Sequence, residues 1–250
     1  MSRRIPLMGI AALSLLLAQG ARAADASVDV GVFSKYVWRG QVLNEDPVVQ
    51  TALSVDAGNG LSFQVWANLD LTDIHATEDS NPKNEFTEID LIVSYALPLE
   101  GPVGVALSFT EYTFPAGGES TREAAVAITT DLPLSPSLTL TYDFGAVDGF
   151  YASLGVEQSF DLTDPLTLTL AASVGAANSD YNEAYFGVSR NRANDGNLSA
   201  TLDFAVTEFL TLSGAAQYSA LLESDIRAAA KEEFGAKDAW VFSLNLNYSF

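Results

Sequence analysis

The side chains able to do chemistry in this 250-residue sequence are mostly acidic. There are 32 Asp and Glu against 12 Lys and Arg, one histidine and no cysteine, giving a formal net charge of −20. Seven acids, Asp70, Glu88, Asp90, Glu123, Asp143, Glu157 and Asp203, sit at alternate positions on polar stretches rich in Ser, Thr, Asn, Gly and Ala. Lys35 and Arg39 share the parity of Asp29 near the start of the chain. Carboxylates gathered on the polar wall of a water-filled space repel anions and favour cations. Bases facing them would set a transverse field across that space. Trp66 and Tyr151 carry the same parity, so they point into the same space and chiefly fill it. The acids outnumber any basic partners, so most of them have no ion-pair partner to find.

Catalysis has little support. His75 lies beside Asp73 and Thr77, and a Ser or Asp within hydrogen-bond reach would be needed to make it a base that activates a nucleophile or water. No nucleophile motif, phosphate-binding glycine loop, cofactor fingerprint or metal-ligand cluster is present, so the sequence predicts no enzyme, no cofactor and no resident metal. Loop acids such as Glu78, Asp79, Glu85 and Glu119 are oxygen ligands of the kind Ca²⁺ and Mg²⁺ prefer, and such ions bridge lipopolysaccharide. These acids lack the spacing of a calcium loop, and solvated charge is the simpler reading. A surface this acidic repels phosphate, which excludes nucleic acid as a partner.

The elements that must hold these residues are strands. From Trp240 to Phe250 the chain alternates without a break: Trp240, Phe242, Leu244, Leu246, Tyr248 and Phe250 on one face, Val241, Ser243, Asn245, Asn247 and Ser249 on the other. That is the period of a β-strand. The same alternation recurs over 61–70, 88–97, 138–144, 166–175 and 198–206. Short connections rich in Gly, Pro and Asp (57–60, 98–102, 133–137, 161–165, 207–208) alternate strictly with mostly longer, polar ones (40–46, 71–84, 115–121, 145–149, 176–196, 220–237). Five turns and six loops join twelve strands, with ten or fourteen as alternatives. The first strand is expected over 28–39, with Val28, Val30, Val32, Tyr36 and Trp38 on its apolar face. Residues 185–190 are strand-like within the fifth loop, and 224–234 has a helix-forming composition with Ser224 as a candidate N-cap.

Residues 1–23 have the form of a secretory signal peptide: Arg3 and Arg4, a short apolar stretch from Ile10 to Ala18, then Ala21-Arg-Ala23. Their removal takes away three arginines and no acids, leaving residues 24–250 as one barrel domain with a net charge of about −23. No apolar run in that part would span a bilayer as a helix, so a membrane location requires a closed barrel. The short-turn and long-loop asymmetry fits an all-β, antiparallel, up-and-down outer-membrane barrel with both termini periplasmic. Its apolar face, with aromatics such as Tyr95, Phe109, Phe144 and Phe250 near strand ends, would meet lipid and lipopolysaccharide. A soluble periplasmic barrel or sandwich is the alternative.

The segment from Val32 to Gly40 (Val-Phe-Ser-Lys-Tyr-Val-Trp-Arg-Gly), then Asp46-Pro47-Val-Val-Gln50, then the stretch from Leu61 to Asp70 with Trp66 and Asn68, resembles the TorF-type porins, also known as the Gcw-chp family. The resemblance covers about residues 28–73; beyond that only the barrel pattern continues it. It implies a small outer-membrane channel without an assigned solute. The C-terminal strand ending in Phe250 likewise resembles the signal read by the barrel-assembly machinery. The combined expectation is a porin-like channel for passive diffusion of small polar, cationic solutes, with Lys35, Arg39, Trp66 and the seven acids lining the lumen. The alternative is a closed structural or adhesive barrel acting through its loops.

Overall fold

The structure, a computed structural model, describes residues 25–77 and 80–250. The expected signal peptide and loop residues 78 and 79 lie outside the described residues.

The strands in chain order are β1 (Asp25–Phe33), β2 (Tyr36–Trp38), β3 (Gln41–Asn44), β4 (Val48–Asp56), β5 (Leu61–Asp70), β6 (Phe86–Ala96), β7 (Val103–Thr113), β8 (Thr121–Thr130), β9 (Ser137–Asp143), β10 (Gly149–Thr163), β11 (Leu166–Ala177), β12 (Arg192–Ala205), β13 (Leu210–Leu221) and β14 (Asp238–Ser249). Twelve of them, all but β2 and β3, pair antiparallel with their neighbours and close into a barrel. Closure is made by β1 against β14, with registers from Ser27↔Ser249 to Phe33↔Ser243. It joins backbone to backbone where Ala26 and Phe250 exchange two hydrogen bonds, of 3.1 and 2.9 Å. Both chain ends of the barrel therefore sit with the short turns, and the long connections gather at the opposite end.

Alternation decides which residues go where. Val30, Val32, Leu91, Leu107, Leu140, Leu154, Leu170, Leu198, Leu212 and Leu246 all lie exposed on the outer wall, Leu244 at 66% of its full surface. The alternate positions, such as Ser153, Ser173, Asn197, Ser199, Gln217 and Asn245, face the lumen. A soluble protein buries its large aliphatics; this barrel displays them all round, which is the arrangement for a wall surrounded by hydrocarbon. Outward aromatics cluster toward the ends of strands: Tyr142 stacks on Phe150 at 4.4 Å, and Trp240 lies parallel to Phe242. No helix among the described residues is long and apolar enough to cross a membrane.

Three expectations are corrected. The first strand leaves the wall at Phe33, not at residue 39, because Ser34 and Lys35 bend the chain inward. Tyr36 and Trp38, expected on the lipid face, therefore lie inside, in a small hairpin made of β2 and β3. The stretch 185–190 is not strand-like. It straddles the end of helix α1 (Ser179–Phe186), which begins with the Asn178 side chain accepting the Tyr181 amide and stops at Gly187 in the left-handed conformation, φ 62°. Helix α2 (Ser224–Glu233) forms as expected, but its N-cap position is Glu223, which makes no side-chain cap bond. Asp225 in its first turn binds the Arg192 guanidinium, which holds that carboxyl down at about 2.

The buried apolar cluster lies inside the barrel at the long-loop end. Tyr151, Ala177 and Leu221 of the wall pack there against Tyr181, Phe186, Ile226 and Ala230 of the two helices. Placing a charge on the outer wall tests the inverted arrangement. Leu198→Arg, near the middle of β12, is expected to cost about 2–4 kcal/mol of folding free energy in lipid vesicles. Ser199→Arg, which faces the lumen, should cost much less. A urea titration of each variant read by electrophoretic mobility measures the difference.

Candidate functional site

The candidate site is the inward hairpin and the wall it touches. Ser34 anchors its base, donating its amide to the Phe242 carbonyl and accepting the Phe242 amide on its hydroxyl, both at 2.9 Å. At the tip, Arg39 and Gly40 have φ of 47° and 81°, the paired positive values of a tight two-residue hairpin turn. A Cβ on Gly40 would stand 2.7 Å from Leu221 and 2.8 Å from Asp195. Only glycine lets the tip seat this closely against β12 and β13.

Arginine is a poor residue for a left-handed turn, and its side chain shows what holds it there. Its two terminal nitrogens donate to the two oxygens of Glu123, each at 2.7 Å, a bidentate pair. The guanidinium carbon lies 4.3 Å from the Trp38 ring centre, 4.4 Å from that of Tyr151 and 5.8 Å from that of Tyr181. Glu123 also accepts the Tyr112 hydroxyl at 2.8 Å. Around these groups the rings form a chain in which Trp38 meets both Tyr112 and Tyr185, and Tyr181 meets both Tyr185 and Tyr151. The Tyr151 hydroxyl donates to Asp195 at 2.8 Å. Burial raises the Tyr181 and Tyr185 phenols well above the usual range.

The second anchor of the hairpin is Tyr36, whose hydroxyl donates to Glu88 at 2.9 Å and whose ring lies 5.7 Å from that of Trp66. Asp90 is the cross-strand neighbour of both Trp66 and Tyr112, and its Oδ1 is buried without a hydrogen-bond partner.

Arg39, Trp66, Glu88, Asp90 and Glu123 are thus brought to one level of the lumen. The other expected residues make contacts of their own outside this group. Lys35 is at the bend, donating to the Glu45 carbonyl at 3.1 Å. Asp143 is fully buried and used locally, accepting the Thr121 hydroxyl at 2.7 and 2.8 Å and the Gly145 amide at 2.9 Å. Glu157 lies exposed nearer the short-turn end, by Ser173, Asn197 and Ser199. Asp203 accepts the Ser213 hydroxyl at 2.5 Å. Asp70 accepts from Asn68 and Thr87 and lies 2.7 Å from His75 Nδ1. That is half of a base-and-orienter arrangement. Among the described residues no nucleophile bonds the other ring nitrogen of His75, and no group of three or more His, Asp and Glu is placed to hold a metal ion.

Sequence reasoning missed Tyr36, Trp38, Tyr181 and Asp195 as lumen groups. The signal for the first two was the Arg39-Gly40 turn between two short alternating stretches. For Asp195 it was the unbroken alternation from Asp195 through Asn197, Ser199 and Thr201 to Asp203.

At the level of the hairpin the lumen is filled. Wall residues around the circumference are buried: Val48, Asp70, Glu88, Glu123, Asp143, Tyr151, Ala177, Asp195, Leu221 and Val241. Toward the short turns, inward Ser54, Gln64, Ser153, Ser199 and Asn245 are only half-buried. The interior is therefore a polar cup, open at the short-turn end and stoppered at the long-loop end.

A closed twelve-stranded antiparallel barrel, apolar without and polar within, is the architecture of outer-membrane β-barrels. The chain belongs to the bacterial family described as "Bacterial protein of unknown function (Gcw_chp)", whose family model matches residues 17–248. No curated protein sequence matches the chain. Among solved structures it is similar to the KdgM porin (TM-score 0.54, 10% identity, 90% of this chain and 99% of that one). It is similar to the NanC porin (0.53, 12%, 89% and 98%) and to an outer membrane channel from Pseudomonas putida F1 (0.50, 10%, 93% and 97%). KdgM has also been solved in complex with disordered oligogalacturonate. At these identities the likeness is one of fold.

Removing one partner of a buried ion pair leaves the other charge stranded. Arg39→Ala and Glu123→Ala are each expected to destabilise the hairpin by about 3 kcal/mol. The double variant should cost clearly less than the sum of the two. Hydrogen exchange at the amides of residues 36–44 measures each value.

Proposed function

We propose that this chain is an outer-membrane porin-like channel in which the β2–β3 hairpin restricts the passage of small polar, cationic solutes. The observation that carries the reading is the chemistry of the stopper. The hairpin is held by an ion pair, a phenol–carboxylate bond and a cation–aromatic stack inside a polar bore. A permanent seal would be more stable if built from well-packed apolar side chains. The preference for cations follows from the lumen charge. Asp29, Glu88, Asp90, Glu123, Glu157 and Asp203 face inward, with Arg39 as the base among them. Oligogalacturonate, found with KdgM, is a chain of acidic sugars, and this lumen would repel it. In this reading the short-turn end with both termini faces the periplasm, reached after cleavage of the signal peptide 1–23 and insertion by the barrel-assembly machinery. The outer wall meets lipid, and the long loops meet lipopolysaccharide.

The filled belt at the hairpin level favours a second reading, a closed barrel that acts through its loops. Planar-bilayer recording separates the two. Under a KCl gradient the wild-type chain should give small, cation-selective steps, and deletion of residues 36–44 should enlarge them several-fold while retaining cation selectivity. A deletion variant that folds yet passes no current would eliminate the channel and leave the closed barrel.

A further inference from the structure

We propose that Glu123, Tyr112, Tyr151 and Tyr181 form a guanidinium-recognition site in the lumen, which Arg39 fills as a tethered ligand and which a solute bearing a guanidinium group enters in its place. The proposal deepens the channel reading by naming a solute class, and it relies on that reading only for the solute's route.

The four recognising residues belong to the wall and to α1, not to the hairpin. Glu123 comes from β8, Tyr112 from β7 and Tyr151 from β10, while Tyr181 sits in α1. Each is held by something other than Arg39. Tyr112 donates to Glu123, Tyr151 donates to Asp195, and the Tyr181 amide is capped by Asn178. The site therefore has hydrogen bonds of its own that do not involve the hairpin.

Its geometry selects a particular cation. Both oxygens of Glu123 are presented side by side, each 2.7 Å from a separate nitrogen, which matches the planar two-pronged edge of a guanidinium and not the single point charge of an ammonium. The aromatic face of Tyr151, 4.4 Å from the guanidinium carbon, supplies a stacking surface. The Tyr181 hydroxyl adds a buried polar atom with no hydrogen-bond partner.

The tethered ligand can also be exchanged. Arg39 adopts a backbone conformation that arginine disfavours, φ 47°, and a free solute carries no such strain. The Arg39 side chain keeps 14% of its surface exposed where that of Glu123 keeps 5%, so solvent reaches the pair from the side of the arginine. A solute that displaced it would free the tip of the hairpin while leaving the Tyr36–Glu88 anchor in place.

The test uses the full chain refolded in detergent, methylguanidinium as probe, and isothermal titration as readout, so that no current is needed. Arg39→Ala and Arg39→Met should bind methylguanidinium at least about tenfold more tightly than wild type, with no comparable gain for tetramethylammonium or K⁺. Adding Glu123→Gln to either variant should abolish the gain. Folded Arg39 variants that bind the probe no better than wild type overturn the proposal, as does binding that survives Glu123→Gln. Should neither Arg39 variant show the mobility of a folded barrel, the wild-type chain decides the matter. Methylguanidinium, and not K⁺, must then speed amide exchange in residues 36–44, and unchanged exchange overturns the site. Binding without any bilayer current would retire the channel and leave the site standing; current without binding would do the reverse.

Discussion

Everything in this molecule follows from turning a β-sheet inside out and closing it. Once leucines and valines occupy the outer face of every strand, the inner face must carry what remains, and here that is serine, threonine, asparagine, small residues and acids. Closure through β1 and β14 leaves no unpaired strand edge in the barrel, so the backbone of the wall finds its partners within the wall, as hydrocarbon requires. It also encloses a space that no apolar core fills. That space must be hydrated or filled by groups that satisfy one another, and this barrel does both. Its short-turn half is a polar cup, and its long-loop half is stoppered.

The stopper shows how a polar interior is made solid. Burying an ion pair costs more than burying hydrocarbon unless hydrogen bonds satisfy both partners. Glu123 meets that condition with three donors, two from Arg39 and one from Tyr112. Arg39 gains aromatic faces on top of its carboxylate. The arrangement is cooperative, because the rings that flank the guanidinium are themselves placed by Asp195, Asn178 and one another. A wall glycine makes room for this: a Cβ on Gly175 would stand 2.1 Å from the Tyr151 hydroxyl and 2.3 Å from Asp195. The local wall sequence is thus written around the hairpin as much as around the barrel.

The barrel itself was legible in the sequence because alternation of period two and the strict succession of short and long connections are local signals. Twelve strands and their inward and outward faces follow from them, with errors of a residue or two at most ends and of three to six at both ends of β1, the end of β10 and the start of β12. The hairpin was not legible, for a physical reason. Tyr36 and Trp38 continue the parity of Val28, Val30 and Val32, so periodicity alone reads one strand through 28–39. Nothing in that pattern reports that Ser34 bonds across to Phe242 and turns the chain inward. The clue lay in the Arg39-Gly40 pair, a turn chemistry that competes with strand continuation. Arg39 was placed in the lumen from its parity, and it lies there at the tip of a hairpin instead of on the wall. The helix over 179–186 was hidden likewise, because Tyr185 and Phe186 favour strands until Asn178 and Gly187 are read as its two caps.

The division of the bore into cup and stopper bears on how charge would act in it. In the cup, Glu157 and Asp203 are separated and solvated, and they set a diffuse negative potential over the open end. At the stopper, Glu88, Asp90 and Glu123 lie at one level in the filled part of the bore, where an ionised carboxylate acts more strongly than in the cup. The arginine at that level is carried on the hairpin, while the acids belong to the wall. Any displacement of the hairpin therefore removes positive charge from the narrowest level and leaves the acids behind. In the proposed channel, opening the bore and making it more attractive to cations would be one and the same movement.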